Sequence, residues 1–245
     1  MKKKKPVLIT IGHCSHFVPK EIKKIMALNK MAILRQSDLY TDRIFNIAGC
    51  HIVKSKISRL VVDMNRAPDD IEAEMELCDS CVVVRITSSG EIVYKKPPTM
   101  AMIMSRVEKY HNTFHDEVQR LAKSAKFLID GHSMWSRAPK MKEDAGRARP
   151  DICLGNRRFA TCDAITTNYF KKAFEKFGYT VAVNKPYEGA FLLGYHCHRR
   201  QLPGIQIEIN KKLYLNEVTL KPDLEKIKLL NKQLKEIVDG LIERL

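Results

Sequence analysis

No apolar run in this 245-residue chain approaches the roughly 20 residues needed to span a bilayer, which argues against a membrane protein. The start, Lys2 to Lys5 followed by Val7-Leu8-Ile9-Thr10-Ile11, imitates a signal peptide, but its apolar part is short and Gly12-His13 interrupts it. It reads instead as a basic tail over residues 1–5 feeding a buried strand. Cysteine occurs only seven times, an odd and dispersed set that makes no disulfide framework. A reduced, cytoplasmic setting is expected. Neither Gly-x-Gly-x-x-Gly nor a P-loop is present, so nucleotide cofactors are not expected. Acidic residues are in deficit, 28 against 43 Lys+Arg, and the net charge of +15 excludes an acidic scaffold. That surplus attracts anions, whether phosphates, nucleic acid or carboxylate substrates, without choosing among them. The chain also lacks any helix-turn-helix, RNA-recognition or KH signature. Its basic runs, such as Lys140–Lys142, Arg147–Arg149 and Arg199-Arg200, carry no interleaved aromatics. A nucleic-acid- or polyanion-binding role therefore stands as the alternative to an enzyme, resting on charge alone.

What is present is an α/β pattern. Short β-rich runs fall at Val7–Ile11, Leu60–Asp63, Cys81–Thr87, Lys126–Asp130, Tyr179–Val183 and Ile205–Ile209. Between them Met100 to Lys123 repeats apolar residues at helical spacing, and a second helix starts near Thr161 and stops at Gly178. Strands alternating with helices imply a largely parallel sheet covered on both faces. With no Gly/Ser/Pro linker and no internal repeat, residues 1–220 read as one α/β domain. Residues 221–245 read as a C-terminal amphipathic helix, opened by Pro222 and Asp223 and striped by Leu224, Ile227, Leu230, Leu234, Ile237 or Val238, Leu241 and Leu245. That stripe either docks on the domain or makes a homodimer contact.

Ligands of open α/β sheets bind at the carboxyl ends of strands, and polar residues gather at such points here. Val7–Ile11 leads to His13, Leu60-Val61-Val62 to Asp63, Asn65 and Arg66, Leu128-Ile129 to Asp130, His132 and Ser133, and Ile205–Ile207 to Glu208. Taken singly, each has a plainer reading as a hydrogen-bonded structural His, a buried Glu paired with an Arg, or a surface cation. Together, two imidazoles and a carboxylate match a common catalytic zinc shell with one position left for water. A further Glu could accept that water's proton, and an Arg could grip a substrate carboxylate bidentately. His111 and His115 lie four apart on a helix, but no Glu follows His111, so the metalloprotease motif is absent. His111 is expected as a half-exposed surface residue. Cys78 and Cys81 form a lone pair with no second pair at zinc-finger spacing, and His196-Cys197-His198 is expected as a loop at the pocket rim.

In order along the chain, several stretches then match one pattern: His13 with Pro19, Asp38 to Phe45, Val62 to Arg66 with Pro68-Asp69, and Phe114-His115. Asp130-Gly131-His132-Ser133, Asp151 to Gly155 with Cys162-Asp163, Asn184 to Gly189, and Gln206 to Asn210 with Tyr214 complete it. In these the sequence resembles the N-formylglutamate amidohydrolase (N-formylglutamate deformylase) family over roughly Pro6 to Asn216. That family resembles zinc carboxypeptidases and aspartoacylase. The resemblance implies a three-layer α/β/α fold with a mostly parallel mixed sheet, phosphorylase/hydrolase-like and of zinc exopeptidase type. It implies a zinc-dependent hydrolase of a linear N-formyl or N-acyl amide in a small carboxylate-bearing substrate. His13 and His132 would be zinc ligands and Glu208 the general base. Asn65 and Arg66 would hold the substrate carboxylate, with His115 and Ser133 also at the substrate. For the third ligand Asp38 is preferred, with Asp42 and His16 as alternatives. The chain departs from the family at His13-Cys14-Ser15, where His-Ser-Gly is usual, at Gly189-Ala190, where Gly-Gly is usual, and in a short loop after Pro68. A member that keeps the fold but has lost catalysis is the remaining alternative.

Overall fold

The computed structural model describes residues 4–71 and 80–245. Lys2 and Lys3 of the basic tail, and Cys78 of the cysteine pair, lie outside the described residues. Strand β1 (Val7–Ile11) is buried along its whole length, because it sits inside the sheet and β-branched and aliphatic side chains cover both its faces. It pairs in parallel with β2 (His51–Lys54) on one side and with β3 (Phe127–Met134) on the other. The remaining strands are β4 (Ile152–Gly155), β5 (Val181–Val183) and β6 (Gly204–Asn210), and the sheet order is β2-β1-β3-β6-β4-β5. All pairings are parallel except β4 against β6.

Alternation along the strands sends successive side chains to opposite faces, and the two faces differ. Val7, Ile9 and Ile11 join Phe127, Ile129, Ile205, Ile207 and Ile209 in one cluster. This cluster lies under α3 (Thr41–Ile44), α6 (Ala164–Lys176) and α8 (Leu224–Ile242), through Ile44, Phe170, Phe174 and Leu234 among others. Residues Ile227, Leu230, Leu234, Ile237, Val238 and Leu241 of α8 are buried there, while Leu224 and Leu245 at the ends of the stripe are exposed. Asn231 fastens α8 by donating from Nδ2 to the carbonyls of Arg43, Ile44 and Asn46 at the end of α3.

The opposite face starts apolar, with Leu8 and Leu128 under α4 (Met100–Arg106), α5 (Thr113–Ala122) and α7 (Phe191–Arg200). Further along the same face the side chains become Thr10, Asp130, His132, Gln206 and Glu208. The β3–β6 register pairs Asp130 with Gln206 and His132 with Glu208. The switch from aliphatic to polar within one face places the chemistry above the carboxyl ends of the central strands. Gly131, between Asp130 and His132, faces the first cluster, where an added Cβ would lie 2.7 Å from the Phe45 ring.

Two apolar runs expected as strands have no ladder. Leu60–Asp63 and Cys81–Thr87 are irregular segments that bond each other and nearby turns, with Asp63 N–H donating to Val82 C=O at 2.7 Å and Thr87 N–H to Glu91 C=O at 2.8 Å. Their backbone groups are satisfied locally, so burial does not require a neighbouring strand. Asp63, Asn65 and Arg66 thus come from a buried loop and not from a strand end. Conversely, β2 and β4 have four residues each, too short to show a period, and α7 was not expected at all. The single helix expected over Met100 to Lys123 is α4 and α5 joined by a π-turn at Val107–Asn112. Among the described residues no helix is long and apolar enough to cross a membrane.

Candidate active site

His13 leaves β1, Asp38 lies in the turn between α2 (Lys30–Arg35) and α3, and His132 stands on β3. The backbone links the first two, since Asp38 N–H donates to His13 C=O at 2.9 Å. Their donor atoms converge, with Asp38 Oδ2 3.2 Å from His132 Nδ1 and 3.8 Å from His13 Nδ1. One ligand atom from each residue lies within 4.8 Å of the others, and all three residues are buried. The alternatives for the third position are elsewhere. Asp42 pairs with Lys54 at 3.3 Å, and His16 is exposed.

Each imidazole is held from behind by a carboxylate. His13 Nε2 lies 2.6 Å from Asp63 Oδ1, and His132 Nε2 lies 3.1 Å from Asp130 Oδ2. A ring N–H donated to carboxylate at Nε2 leaves Nδ1 bare in the neutral imidazole, the arrangement that orients histidine toward a metal and raises its basicity. Both carboxylates are themselves anchored. Asp63 accepts from Arg59 Nη2 at 2.5 Å and from Asn65 N–H at 2.8 Å, while Asp130 accepts from Thr10 Oγ1 at 2.9 Å. These residues fit a small divalent cation, with two nitrogens and one oxygen converging on one point.

The electrostatics agree with that fit. Burial, reinforced by Arg59, holds His13 below its ordinary value, so it is a neutral donor. Burial acts to raise Asp38 and Asp63, but Lys211 and the two imidazoles outweigh it at Asp38, and Arg59 and His13 at Asp63, leaving both ionised. His132 is held above its ordinary value against burial by Asp130, Asp38 and Glu208, and the field that favours a proton there also favours a metal cation. Glu208, beside His132, accepts from Gln206 Nε2 at 2.9 Å and is pushed up to about 7, chiefly by burial and then by Asp38 and Asp130.

A cleft of about 80 Å³ opens beside the cluster, lined by Asp38, Arg59, Ser133, Trp135, Tyr187 and Lys211. Larger cavities of about 660 and 590 Å³ contain none of the converging residues, and the chemistry belongs to the small polar cleft. Lys211 is buried there, 3.5 Å from Asp38 Oδ1, with its ammonium over the Trp135 ring. Arg66 lies close enough to Asp63 to favour its ionised form, and among the described residues its half-buried guanidinium has no hydrogen-bond or ion-pair partner. Asn65 is more committed, its Oδ1 accepting from Leu192 N–H at 2.9 Å and its Nδ2 lying 3.4 Å from His132 Nε2.

His115, expected at the substrate, has both ring nitrogens engaged, by Met64 C=O and by His196 Nε2. Two expectations are corrected. His111 is not half-exposed but only 2% accessible, bonded to Arg66 C=O. His196 and Cys197 are buried on α7 and not in a rim loop. Roles for Asp130, Asp63, Arg59 and Lys211 were not read from the sequence. For Asp130 a signal existed, since its two-residue spacing from His132 puts both on one face of a strand.

The model of the N-formylglutamate amidohydrolase family matches residues 5–215. The chain belongs to this family. Its members are amidohydrolases of linear amides, and this chain is an enzyme of that class. A curated relative, the N-formylglutamate deformylase of Pseudomonas putida, is 23% identical, with 86% of this chain and 82% of that protein aligned. Among solved structures, the N-formylglutamate amidohydrolase of Ralstonia eutropha JMP134 superposes with a TM-score of 0.85 at 20% identity, covering 99% of this chain and 94% of that one. A protein of Agrobacterium tumefaciens gives 0.74 at 20% identity, covering 99% and 92%. The fold of the amidohydrolase is thus shared across nearly the whole chain.

Proposed function

We propose that this chain is a zinc-dependent amidohydrolase that releases the formyl or acyl group from a small carboxylate-bearing N-acyl amino acid, N-formylglutamate being the first candidate. The observation that carries the reading is the convergence of His13 Nδ1, His132 Nδ1 and Asp38 Oδ2, with Glu208 in register beside His132. Those three residues would hold the metal. Bound zinc supplies Lewis acidity, lowering the pKa of a water and polarising a carbonyl.

Glu208 is the proton carrier. Its carboxylate takes a proton from the attacking water as the water oxygen bonds to the acyl carbon, and returns it to the amine nitrogen as the C–N bond breaks, giving a carboxylic acid and a free amino acid. Arg59, with one amino group held by Asp63, presents positive charge to the cleft wall. Arg66 takes the substrate's remote carboxylate, and that grip positions the scissile carbonyl.

Replacing Arg66 with alanine tests the substrate half of this reading. A charge-assisted hydrogen bond contributes about 1.5–3 kcal/mol, so kcat/KM for N-formyl-L-glutamate falls roughly 10- to 150-fold, mostly through KM. The same variant turns over an N-formyl amine without a carboxylate at the wild-type rate. An unchanged kcat/KM for the glutamate substrate removes Arg66 from the site.

A further inference from the structure

One helix reaches into the 61–66 loop three times. Arg106 Nη1 donates to Val61 C=O at 3.3 Å, His111 Nε2–H to Arg66 C=O at 2.9 Å, and His115 Nε2–H to Met64 C=O at 2.9 Å. In a regular α-helix the five-residue step from Arg106 to His111 would overshoot one turn by about 140° and aim the two side chains apart. The π-turn at Val107–Asn112 takes up that surplus, because its i→i+5 bonding makes five residues close to one turn. His115 is braced in turn, its Nδ1 accepting from His196 Nε2–H of α7 at 2.8 Å. A carbonyl accepts only from an N–H, so both helix imidazoles donate from Nε2. Burial favours the neutral ring in each.

The carbonyls they hold flank Asn65, and the loop ends at Arg66. We propose that His111 and His115 are positioning residues that set where the Arg66 guanidinium stands relative to the His13–Asp38–His132 cluster, and so set the spacing between scissile amide and remote carboxylate that the enzyme accepts. This rests on Arg66 gripping that carboxylate. His111 is the sharper probe, since it bonds Arg66 itself and touches none of the converging residues.

The test compares His111→Asn with His111→Gln. Both are polar, but only glutamine carries an N–H out to the place of the histidine Nε2. KM and kcat are measured on N-formyl derivatives of aspartate, glutamate and α-aminoadipate, with zinc content determined in parallel. His111→Asn raises KM for the preferred substrate about tenfold, the effect of one lost hydrogen bond, and narrows the spread among the three chain lengths. Its kcat stays within about threefold of wild type and its zinc content is unchanged, while His111→Gln recovers KM and the length preference. Wild-type KM and preference in His111→Asn, or a loss confined to kcat, overturns the proposal. Arg66→Ala separates the two failures. If it leaves KM unaltered, the carboxylate reading falls and this inference with it. If it raises KM while His111→Asn does not, the inference alone falls.

Discussion

Glu208→Gln lowers kcat by about a thousandfold or more while zinc content remains that of the wild type, as expected for a lost general base that is not a ligand. The substitution is nearly isosteric, and a glutamine oxygen can still accept from Gln206 Nε2, so the buried β6 environment is preserved. What disappears is the capacity to take a proton. The pH profile supplies a second readout. A raised carboxyl is protonated at a higher pH than usual, so activity requires pH above its value and falls about tenfold per unit below it. With Glu208 pushed up to about 7, and with a cation at the adjacent cluster favouring the carboxylate, the acid limb of the wild-type profile lies at or below pH 7. The residual rate of Glu208→Gln lacks that limb. A Glu208→Gln enzyme with a normal kcat contradicts the assignment.

Asp63→Ala is expected to damage both stability and metal binding. This fully buried carboxylate is the meeting point of His13, Arg59 and the Asn65 backbone amide. Removing one partner of a buried ion pair costs about 3–5 kcal/mol, and the partial exposure of Arg59 puts this case near 3. Loss of the carboxylate behind a metal-binding histidine lowers metal affinity roughly 10- to 100-fold. Asp63→Asn keeps an acceptor for the His13 N–H and loses less of both. The acid limb of stability follows the same residue. Its pKa is depressed in the folded state, so its contribution is present above the unfolded value of about 4 and is lost as pH falls below it. Urea titrations at pH 7 and pH 3, with a zinc-competition assay, check all of this. Stability and zinc affinity near wild type in Asp63→Ala would remove the buried hub from the account.

The contrast between His132 and His115 shows how far the residues alone could lead. His132 and Glu208 follow strand-forming aliphatic runs, so period-two alternation places them on one face and the β3–β6 register makes them neighbours. His115 sits on an amphipathic helix whose period says only that it faces inward. Which carbonyl it meets depends on a loop 51 residues away. The same limit applies to Leu60–Asp63. An apolar run with β-branched residues looks like a buried strand, and only the tertiary partners Tyr94, Arg106 and Val82 show that its backbone groups are satisfied without a ladder. Asp38 was one of three acidic or imidazole alternatives of equal chemistry. Its hydrogen bond back to His13, and the pairing of Asp42 with Lys54, distinguish them in space and in no local pattern. The three-layer α/β fold was legible because alternating strand and helix periods admit few other arrangements. The antiparallel β4 was not, since four buried residues carry no direction.

Zinc content per chain tests the central claim most directly. Elemental analysis of the wild type and of His13→Ala/His132→Ala, both purified without added metal and again after zinc soaking and desalting, gives about one zinc per wild-type chain and none in the variant. A wild type that retains no zinc after soaking, or a double variant that binds it as the wild type does, contradicts the account.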